Sequence, residues 1–338
     1  MRIMGSVSVV LLAYNSVSKL GTKFIGRIVD SVLTQTYPWL DLIVVDNGSS
    51  DSTYEVFRSV CIAYDNCHVL RLPKNYGYTG GNNRGAISVM SQRPKYLFFM
   101  NDDVILLGGN VIEILVKALE TNESLGAVQP LVINKDSTVN CGFKVGLSSI
   151  PKVSSSGEKI FYVSGAALMT RAELFRGVGM FDENLFLYVD DVDYSWRLRL
   201  LGYGVKCIKE AKVYHIGSAT FGAESPRFYY FITRNHLWTI FKNSSLEWLF
   251  PRLTLFSLEI FVSYILGNFP NRRLDAVKAI IRGFIDGTVG LKTLASRRIE
   301  VQRMRRVNEI NINEAMDYYI DVDLLFPRRV RRRLGYSW

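Results

Sequence analysis

The first hundred residues alternate between continuous apolar runs and segments in which apolar residues recur every three or four positions. Uninterrupted apolar runs are typical of strands that are buried on both faces of a parallel sheet. Apolar residues at helical spacing, beginning at Phe24, predict an amphipathic helix between the first two runs. The pattern predicts an α/β domain whose central sheet is mostly parallel and flanked by helices. The four expected strands are Ser6–Ala13, Asp41–Val45, His68–Leu72 and Tyr96–Met100.

Two polar segments mark where helices are expected to begin. Ser52 and Glu55 have the spacing of a capping box, which predicts a helix starting there. The segment Lys74–Gly85 is rich in glycine and asparagine, and it predicts a turn at Gly80–Asn83 that leads into a helix. Backbone amides at such a helix start suit a diphosphate. The segment lacks the GxGxxG order of a dinucleotide fold, which argues against a nicotinamide enzyme.

Amides and carboxylates stand where three of the apolar runs end, at Asn15, Asp46 and Asn101–Asp103. Ligands of parallel sheets bind outside the carboxyl ends of the strands, so we expect these residues at one ligand-binding edge. Two adjacent carboxylates repel each other unless positive charge is near. Mg²⁺ or Mn²⁺ bound together with a diphosphate would supply that charge. Taken alone, Asp46 is equally explained as a helix cap, and Asp102 with Asp103 as capping acids ahead of Gly108.

Further candidates lie in the second half of this region. Asp190, Asp191 and Asp193 crowd the first turn of a predicted helix, where the helix dipole favours negative charge. The dipole accounts for one or two of these acids, and a carboxylate close to a reacting hydroxyl can act as a general base. His215 ends a short predicted strand. A lone histidine is usually structural, but at a strand end it can complete a metal site.

Beyond Phe228 the chain becomes more apolar and more basic. Leu246–Leu266 is long enough to span a bilayer. Arg252 and Glu259 interrupt it, and a charge at mid-bilayer costs about 2.5–3.5 kcal/mol. We therefore expect a helix that lies in the membrane interface, with a helix packed on the catalytic domain as the alternative. Arginines that favour an anionic surface follow at Arg297, Arg298, Arg303, Arg305, Arg306, Arg328, Arg329, Arg331, Arg332 and Arg333.

Composition narrows the partners and the compartment. The hydrophobic content of 48% is that of a globular protein. The net charge is +10, but no nucleic-acid-binding module accompanies it, so nucleic acid is not expected as a partner. The four cysteines show no CxxC or zinc-like spacing, and the apolar N-terminus lacks a signal-peptide cleavage site. We expect a cytoplasmic, thiol-reducing location, peripheral on the inner face of the cell membrane.

Taken in order, the motifs of residues 6–240 resemble those of the inverting glycosyltransferase family 2, especially its rhamnosyltransferase-like members. The resemblance implies a GT-A fold over residues 1–240, with a helical, basic C-terminal region at 241–338. It also implies a nucleotide-diphosphate sugar donor, a glycan or lipid-linked acceptor and a divalent cation, Mg²⁺ or Mn²⁺. The matching motifs are VVLLAYN, IVVDNGSSDST, NYGYTGGNNRGA, FFMNDDV, VSGAALMTR, FDENLFLYVDDVDYSWRLRLLGYGV and VYHIGSAT.

The resemblance implies a role for each candidate residue. Asp46 is expected to bind the nucleobase, and Asp102 to lie near the ribose or the metal. Asp103 and His215 are the implied metal ligands, and Asp191 is the implied catalytic base. Donor binding is further assigned to Asn15, Asn75, Gly81 and Asn82, and the acceptor or sugar pocket to Gly165, Asp190 and Trp196.

The sequence departs from the family pattern at two positions. Asn101 stands where some relatives have aspartate, so the metal rests on fewer carboxylates. Asp190 stands where glutamate is usual, which affects how the acceptor is positioned. Two alternatives remain open at this point: a nucleotidyltransferase, and a non-catalytic scaffold of a membrane glycan-assembly complex.

Overall fold

The computed structural model describes residues 5–216, 225–266 and 273–317. The chain forms two compact units. Unit 1 comprises Met1–Phe143 and Val153–Thr220, and unit 2 comprises Lys144–Lys152 and Phe221–Trp338. The domain boundary expected at residue 240 stays a prediction. The arginines of the predicted tail between 328 and 333 lie outside the described residues.

Strands and helices alternate through most of unit 1. The strands are β1 (Val7–Ala13), β2 (Leu40–Asp46), β3 (Cys67–Arg71), β4 (Tyr96–Asn101), β5 (Val104–Leu107), β6 (Leu125–Asn134), β7 (Val139–Asn140), β8 (Phe143–Val145), β9 (Pro151–Val153), β10 (Ala167–Arg171) and β11 (Gly204–His215). Most residues of β8 and β9 belong to the Lys144–Lys152 segment of unit 2. The α-helices are α1 (Ser16–Leu20), α2 (Thr22–Leu33), α3 (Thr53–Cys61), α4 (Gly77–Val89), α5 (Val111–Thr121), α6 (Ala172–Gly177) and α7 (Asp190–Leu200).

The four predicted strands lie side by side in one sheet of order β3-β2-β1-β4-β10-β6-β11-β5, with β7 paired to β6. Strands β1 to β4 are parallel, as the apolar runs indicate. The other half is mixed, because β10 runs antiparallel to both of its neighbours and β5 antiparallel to β11. Ala13 pairs with Asp46, and Leu12 with Asn101. This register brings the carboxyl ends of β1, β2 and β4 to one edge.

The sheet is covered on both faces, which explains why its strands are apolar without alternation. Val9 and its alternate neighbours in β1 pack with the apolar sides of α2, α3 and α5. Val10 packs on the opposite face with residues of α4, α6 and α7. Residues of both sets are excluded from solvent. The result is the three-layer α/β/α arrangement that the sequence predicts.

One predicted helix start is wrong, and a second is confirmed in position, at Ser52, but not in its cap. Helix α4 begins at Gly77, so Gly80–Asn83 lie inside the helix. A Cβ at Gly81 would lie 2.4 Å from a side-chain carbon of Leu12, so glycine there permits close packing of α4 on β1. The capping box is not formed, because the Ser52 side chain makes no cap bond. Asp51 instead accepts the backbone N–H of Thr53 at 3.0 Å.

The cysteines differ from the sequence-based expectation of a thiol-reducing environment. Cys61 is bonded to Cys67, and Cys141 to Cys207. The second pair is 66 residues apart in sequence, with its Cα atoms 5.3 Å apart. Both members are buried on the same face of the sheet. Spacing alone gives no signal for the second pair, because Cys207 lies on β11 and Cys141 directly follows β7, and both strands pair with β6.

The described part of unit 2 is mainly helical. Helices α8 (Pro226–Asn243) and α10 (Leu274–Gly290) pack closely, and a Cβ at Gly283 would lie 2.5 Å from the carbonyl oxygen of Tyr230. A small apolar core forms around Phe256 and Ile280. The helices are α8 (Pro226–Asn243), α9 (Leu246–Glu259), a π-helical segment (Ile260–Leu266), α10 (Leu274–Gly290), α11 (Ala295–Met304) and α12 (Glu309–Ala315).

Helix α9 has one packed face and one exposed face. Arg252, which interrupts the apolar segment, is fully buried, and its guanidinium lies 2.6 Å from Glu309. It also donates to Asn313 at 2.5 Å. Leu246 and Phe250, by contrast, are more than three-quarters exposed. Among the helices described in either unit, none is long and apolar enough to cross a membrane.

Candidate active site at the carboxyl edge of the sheet

Asp46 ends β2 with its carboxylate fully buried. Oδ1 accepts the backbone N–H of Ser49 at 3.1 Å, which closes the turn after the strand. Oδ2 is 3.6 Å from the guanidinium of half-exposed Arg71, and no described residue gives it a hydrogen bond. A buried acceptor without a donor is costly. Asp46 is therefore suited to accept a hydrogen bond from a ligand such as a nucleobase.

Asn15 holds the loop that follows Asp46. It adopts a left-handed backbone with φ of 51°, a conformation that asparagine tolerates better than most residues. Its N–H donates to Ser49 Oγ at 2.9 Å, and its side-chain oxygen accepts the N–H of Ser50 at 2.9 Å. Asn15 thus links the end of β1 to the end of β2 at the predicted edge.

Asp102 and Asp103 form the turn between β4 and β5, and both are buried. They precede a strand and not a helix, which removes the explanation of Asp102 and Asp103 as helix caps. Oδ2 of Asp102 accepts the hydroxyl of Ser16 and the N–H of Tyr14. Burial and the charge of Asp103 raise the pKa of Asp102 to about 6. The two carboxylates thus lie close enough to interact.

Asp103 and His215 face each other, with Oδ1 and Nε2 3.2 Å apart. Oδ1 has no hydrogen-bond donor among the described residues. The other ring nitrogen of His215, Nδ1, lies 3.3 Å from Asn134 Oδ1. With the proton on Nδ1, the Nε2 lone pair faces the Asp103 oxygen, and two acceptors at this distance repel unless a cation lies between them.

This pair fits the chemistry of a divalent cation. In an octahedral site with metal–ligand distances of about 2.1 Å, two neighbouring ligand atoms lie about 3 Å apart. The distance between Asp103 Oδ1 and His215 Nε2, 3.2 Å, is close to this value. No group of three His, Cys, Asp or Glu side chains suited to a metal occurs in the described ranges. Cations that bind one or two carboxylates normally complete their shell with water and substrate phosphates. The site therefore fits a cation that binds together with a diphosphate.

The start of helix α4 carries the other residues expected to bind the donor. Asn75 accepts the N–H of Gly77 at 2.7 Å, which caps the helix start. Asn82 donates to the carbonyl of Tyr78 at 3.0 Å, and its own buried oxygen has no donor in the described part of the chain. Gly81 packs against Leu12 and so contributes close packing of the helix.

Asp190 and Asp191 open helix α7 after a backbone that is unusual for non-glycine residues. Phe186, Tyr188 and Val189 have φ between 63° and 65°. Such conformations cost about 1 kcal/mol or more each and are common at functional sites, most notably for a β-branched residue such as Val189. Burial and neighbouring Asp191 raise the pKa of Asp190 well above its usual range.

Gly165 lies against Asp191. Its N–H donates to Asp191 Oδ2 at 3.1 Å, and the N–H of Val192 donates to Oδ1 at 2.9 Å. These two donors lower the pKa of Asp191, but burial raises it by more, and the resulting pKa is about 6. The carboxylate is therefore ionised near neutral pH yet basic enough to take a proton. The adjacent Ala166 carbonyl accepts the N–H of Asn101 at 3.0 Å, so Gly165 lies beside the carboxyl edge of the sheet.

Two nearby residues are part of the packed interior. Asp193 forms a buried ion pair with Arg197 at 2.8 Å, which explains the third acid of the cluster. Trp196 is fully buried and packs edge-to-face on Phe161. Its expected place in the acceptor pocket stays a prediction.

The structure adds residues that sequence reasoning missed. Asn47 bridges two loops by donating to the carbonyl of Gly77 at 3.0 Å and accepting the N–H of Tyr76 at 3.0 Å. Ser16 holds Asp102. Tyr78 donates its hydroxyl to the carbonyl of Gly165 at 2.6 Å. The one signal available for Tyr78 was an aromatic residue inside a glycine-rich segment.

Comparison with known proteins identifies similar sequences. The chain is 25% identical over 170 residues to the low-salt glycan biosynthesis hexosyltransferase Agl10 of Haloferax volcanii, covering 47% of this chain and 53% of the relative. It is 25% identical over 220 residues to an N-acetylglucosaminyl-diphospho-decaprenol L-rhamnosyltransferase of Mycobacterium tuberculosis, covering 56% and 70%. A protein of Sinorhizobium fredii is 28% identical over 23% of its length. The chain thus spans about half or less of several relatives that it matches.

Solved structures share the fold. TarS 1–349 of S. aureus, in complex with UDP-GlcNAc, has a TM-score of 0.60 at 16% identity and covers 94% of each chain. GalNAc-T7 with UDP, GalNAc and Mn²⁺ has a TM-score of 0.61 at 15% identity, covering 88% of this chain and 58% of that one. These similarities confirm the predicted GT-A fold. The model of the family described as glycosyl transferase family 2 matches residues 8–179, about half of the chain, and the protein therefore belongs to that family.

Proposed function

We propose that this protein is an inverting glycosyltransferase. It moves a sugar from a nucleotide-diphosphate donor to a hydroxyl of a glycan or lipid-linked acceptor. The observation that carries this proposal is the Asp191 carboxylate, fixed by the N–H of Gly165 beside an edge that bears Asp46 and Asp103. Relatives described as a hexosyltransferase and a rhamnosyltransferase support it, as does a structural neighbour in complex with UDP-GlcNAc.

The reaction is a single displacement. The acceptor hydroxyl gives its proton to Asp191 as its oxygen forms a bond to the anomeric carbon of the donor sugar. The bond from that carbon to the diphosphate oxygen breaks on the opposite face, and the electron pair leaves with the nucleoside diphosphate. The anomeric configuration is inverted. Asp46 accepts a hydrogen bond from the nucleobase through the oxygen that has no donor among the described residues.

A divalent cation, Mg²⁺ or Mn²⁺, fits between the donor and the protein. Asp103 and His215 would hold it, and when bound it supplies positive charge that stabilises the departing diphosphate. The buried Oδ1 of Asp103, facing Nε2 of His215, supports this assignment. Mn²⁺ in the structure of GalNAc-T7, a neighbour of the same fold, also supports it. Asp102 has its carboxylate tied to Ser16 and Tyr14, which suits a supporting position.

Replacement of the base tests the proposal directly. Asp191→Asn keeps the size of the side chain but removes its ability to accept a proton. We expect the transfer rate to fall at least about a hundredfold while the affinity for the donor stays within about twofold. The measurement is transfer from a panel of nucleotide sugars with Mn²⁺ or Mg²⁺, with donor affinity from calorimetry. Near-normal turnover by Asp191→Asn would remove Asp191 from the role of base.

The same panel separates the alternatives. A scaffold would bind no nucleoside diphosphate in the presence of either cation. A nucleotidyltransferase would release pyrophosphate and form a nucleotide-linked product, whereas the proposed reaction releases a nucleoside diphosphate. Both products are distinguished by mass spectrometry.

We also propose that unit 2 attaches the enzyme to an anionic membrane surface. Apolar side chains that are about half or more exposed support this, and they lie on helices α9 and α10. Arg303 and Arg306 of the first arginine cluster are exposed as well, whereas Arg305 is bound to Glu309 within unit 2. The exposed apolar residues on the two helices are Leu246, Phe250, Leu258, Leu274, Ile281, Ile285 and Val289.

A further inference from the structure

A chain of hydrogen bonds runs from helix α4 to the proposed base. The Tyr78 hydroxyl donates to the carbonyl of Gly165 at 2.6 Å. The N–H of the same glycine donates to Oδ2 of Asp191 at 3.1 Å. Tyr78 is 87 residues from Gly165 in sequence, so only the fold creates this link. We infer that Tyr78 is a positioning residue, which holds Gly165 so that its N–H stays directed at Asp191. The inference rests on the proposed function, in which Asp191 is the base.

Gly165 needs such a hold because its own backbone is permissive. Glycine has no Cβ to restrict its φ and ψ, so a rotation at Gly165 would turn its N–H away from Asp191. A Cβ at this position would lie 2.9 Å from the Tyr78 hydroxyl and 3.5 Å from Asp190 Oδ2. A side chain at residue 165 would therefore displace the Tyr78 hydroxyl from its present position, whereas glycine accommodates it.

The backbone before Gly165 and the backbone after it are held differently. The preceding residue, Ser164, donates its N–H to Gln129 at 2.7 Å, deep in the sheet. The following peptide is held by Tyr78 at its carbonyl and by a longer bond of 3.3 Å from the N–H of Ala166 to Ser164 Oγ. Tyr78 thus provides the shorter of the two bonds on that side. Its loss would leave the Gly165 carbonyl without its donor and free the glycine to rotate.

Tyr78 is suited to be a permanent donor. Burial raises the pKa of its hydroxyl well above its usual value, and the nearby charges of Asp190 and Asp191 raise it further. The proton therefore stays on the hydroxyl throughout the working pH range. The ionisable groups whose charges act on the Tyr78 hydroxyl are Asp190 and Asp191, both on helix α7. The charge of Asp191 also raises the pKa of Asp190.

The consequence for Asp191 has a definite sign. The N–H of Gly165 favours the ionised carboxylate and so lowers the pKa of Asp191. Burial raises the pKa and is the larger effect, and the resulting pKa is about 6. When that bond weakens, the pKa of Asp191 rises. Because a general base must be ionised, the rate increases with pH through this pKa, and a raised pKa moves the acidic limb of the rate profile to higher pH.

The test compares Tyr78→Phe with Tyr194→Phe. Tyr194 lies on the same helix as Asp191, and its buried hydroxyl bonds to Thr170 at 2.8 Å, so Tyr194→Phe loses a similar bond away from the base. In Tyr78→Phe we expect kcat to fall about tenfold, donor KM to stay within about twofold, and the acidic limb to move to higher pH by about half a unit or more. In Tyr194→Phe the Tm falls and the acidic limb stays in place.

A second measurement needs no turnover. The pH dependence of the ¹³C NMR signal of the Asp191 carboxyl is measured in each variant without substrate. The signal is assigned by its absence in Asp191→Asn. We expect its midpoint to rise in Tyr78→Phe and also in Gly165→Ala, which places a methyl group against the Tyr78 hydroxyl. An unchanged midpoint in Tyr78→Phe, or an equal rise in Tyr194→Phe, would overturn the inference. A wild-type chain that transfers no sugar would refute the proposed function instead, and the titration would still decide the role of Tyr78.

Discussion

Oδ1 of Asp103 is the buried acceptor on which the proposed metal site is centred. It faces Nε2 of His215 at 3.2 Å without a hydrogen bond from any described residue. Asn134, near the other ring nitrogen, can fix the tautomer that leaves Nε2 as an acceptor. A cation would convert this unfavourable pair of acceptors into two ligands. The role proposed for His215 rests on its partner and not on its position at a strand end.

Removing either proposed ligand should weaken nucleotide binding only when metal is present. For Asp103→Ala and His215→Ala we expect the affinity for a nucleoside diphosphate with Mn²⁺ to fall about tenfold or more, because the cation bridges protein and phosphate. In EDTA the variants should bind as weakly as the wild type does. Isothermal titration calorimetry with and without Mn²⁺ measures both quantities.

His68→Ala is the matched control for His215→Ala. His68 lies on β3 with its side chain exposed, so its loss should leave the Mn²⁺-dependent affinity unchanged. Equal affinities of wild type and Asp103→Ala would count against the metal assignment. Equal losses in His68→Ala and His215→Ala would count against the role of His215 in particular.

At the level of elements, helix α7 positions the proposed base through a buried ion pair. Asp193 and Arg197, one turn apart, are both excluded from solvent, and Arg197 also donates to the carbonyl of Val178 at 2.6 Å. The pair ties the first turn of α7 to the segment before it. Asp191 lies on this same turn. In the proposed mechanism Asp191 is the base, and the Asp193–Arg197 pair has a structural role only.

Asp193→Asn should therefore destabilise the protein. The substitution leaves the Arg197 charge buried without its counter-charge, which typically costs about 3–5 kcal/mol. We expect the Tm to fall by about 10 °C, measured by calorimetry or circular dichroism. Asp65→Asn is the control, because Asp65 is exposed and its replacement should change the Tm little. A Tm unchanged in Asp193→Asn would show that the pair contributes no net stability.

The elements also show which parts of the fold the sequence can predict. The four parallel strands were found within one residue or so, because their burial on both faces gives continuous apolar runs. The start of α4 was misplaced, because its glycines lower helix propensity and its stability comes from close packing on β1. The candidate residues at strand ends are predictable, because they directly follow the apolar runs and parallel strands share one carboxyl edge. The link from Tyr78 to Gly165 was not, because it joins segments that are distant in sequence and depends on how the sheet is covered.

On the scale of the whole molecule, the two units differ in how they use apolar residues. Unit 1 buries them in two layers around the sheet. Unit 2 has a small core and leaves an apolar stripe on α10, which we define as Leu274, Ile281, Ile285 and Val289. The residues of the stripe recur at helical spacing. The exposed cation Lys278 lies beside the stripe, one turn after Leu274. An apolar stripe with neighbouring cations is suited to the interface of an anionic bilayer.

Polar replacements in the α10 stripe should weaken membrane binding. Ile285→Ser combined with Val289→Ser removes two exposed apolar side chains, and we expect binding to vesicles containing phosphatidylglycerol to fall about tenfold. Ile62→Ser is the control, because Ile62 is 85% exposed but lies in unit 1. Co-sedimentation at low and high salt measures the bound fraction, which should decrease as salt screens the cations. If the wild type does not bind these vesicles, or if light scattering shows that the stripe instead joins two copies of the chain, the membrane proposal is wrong.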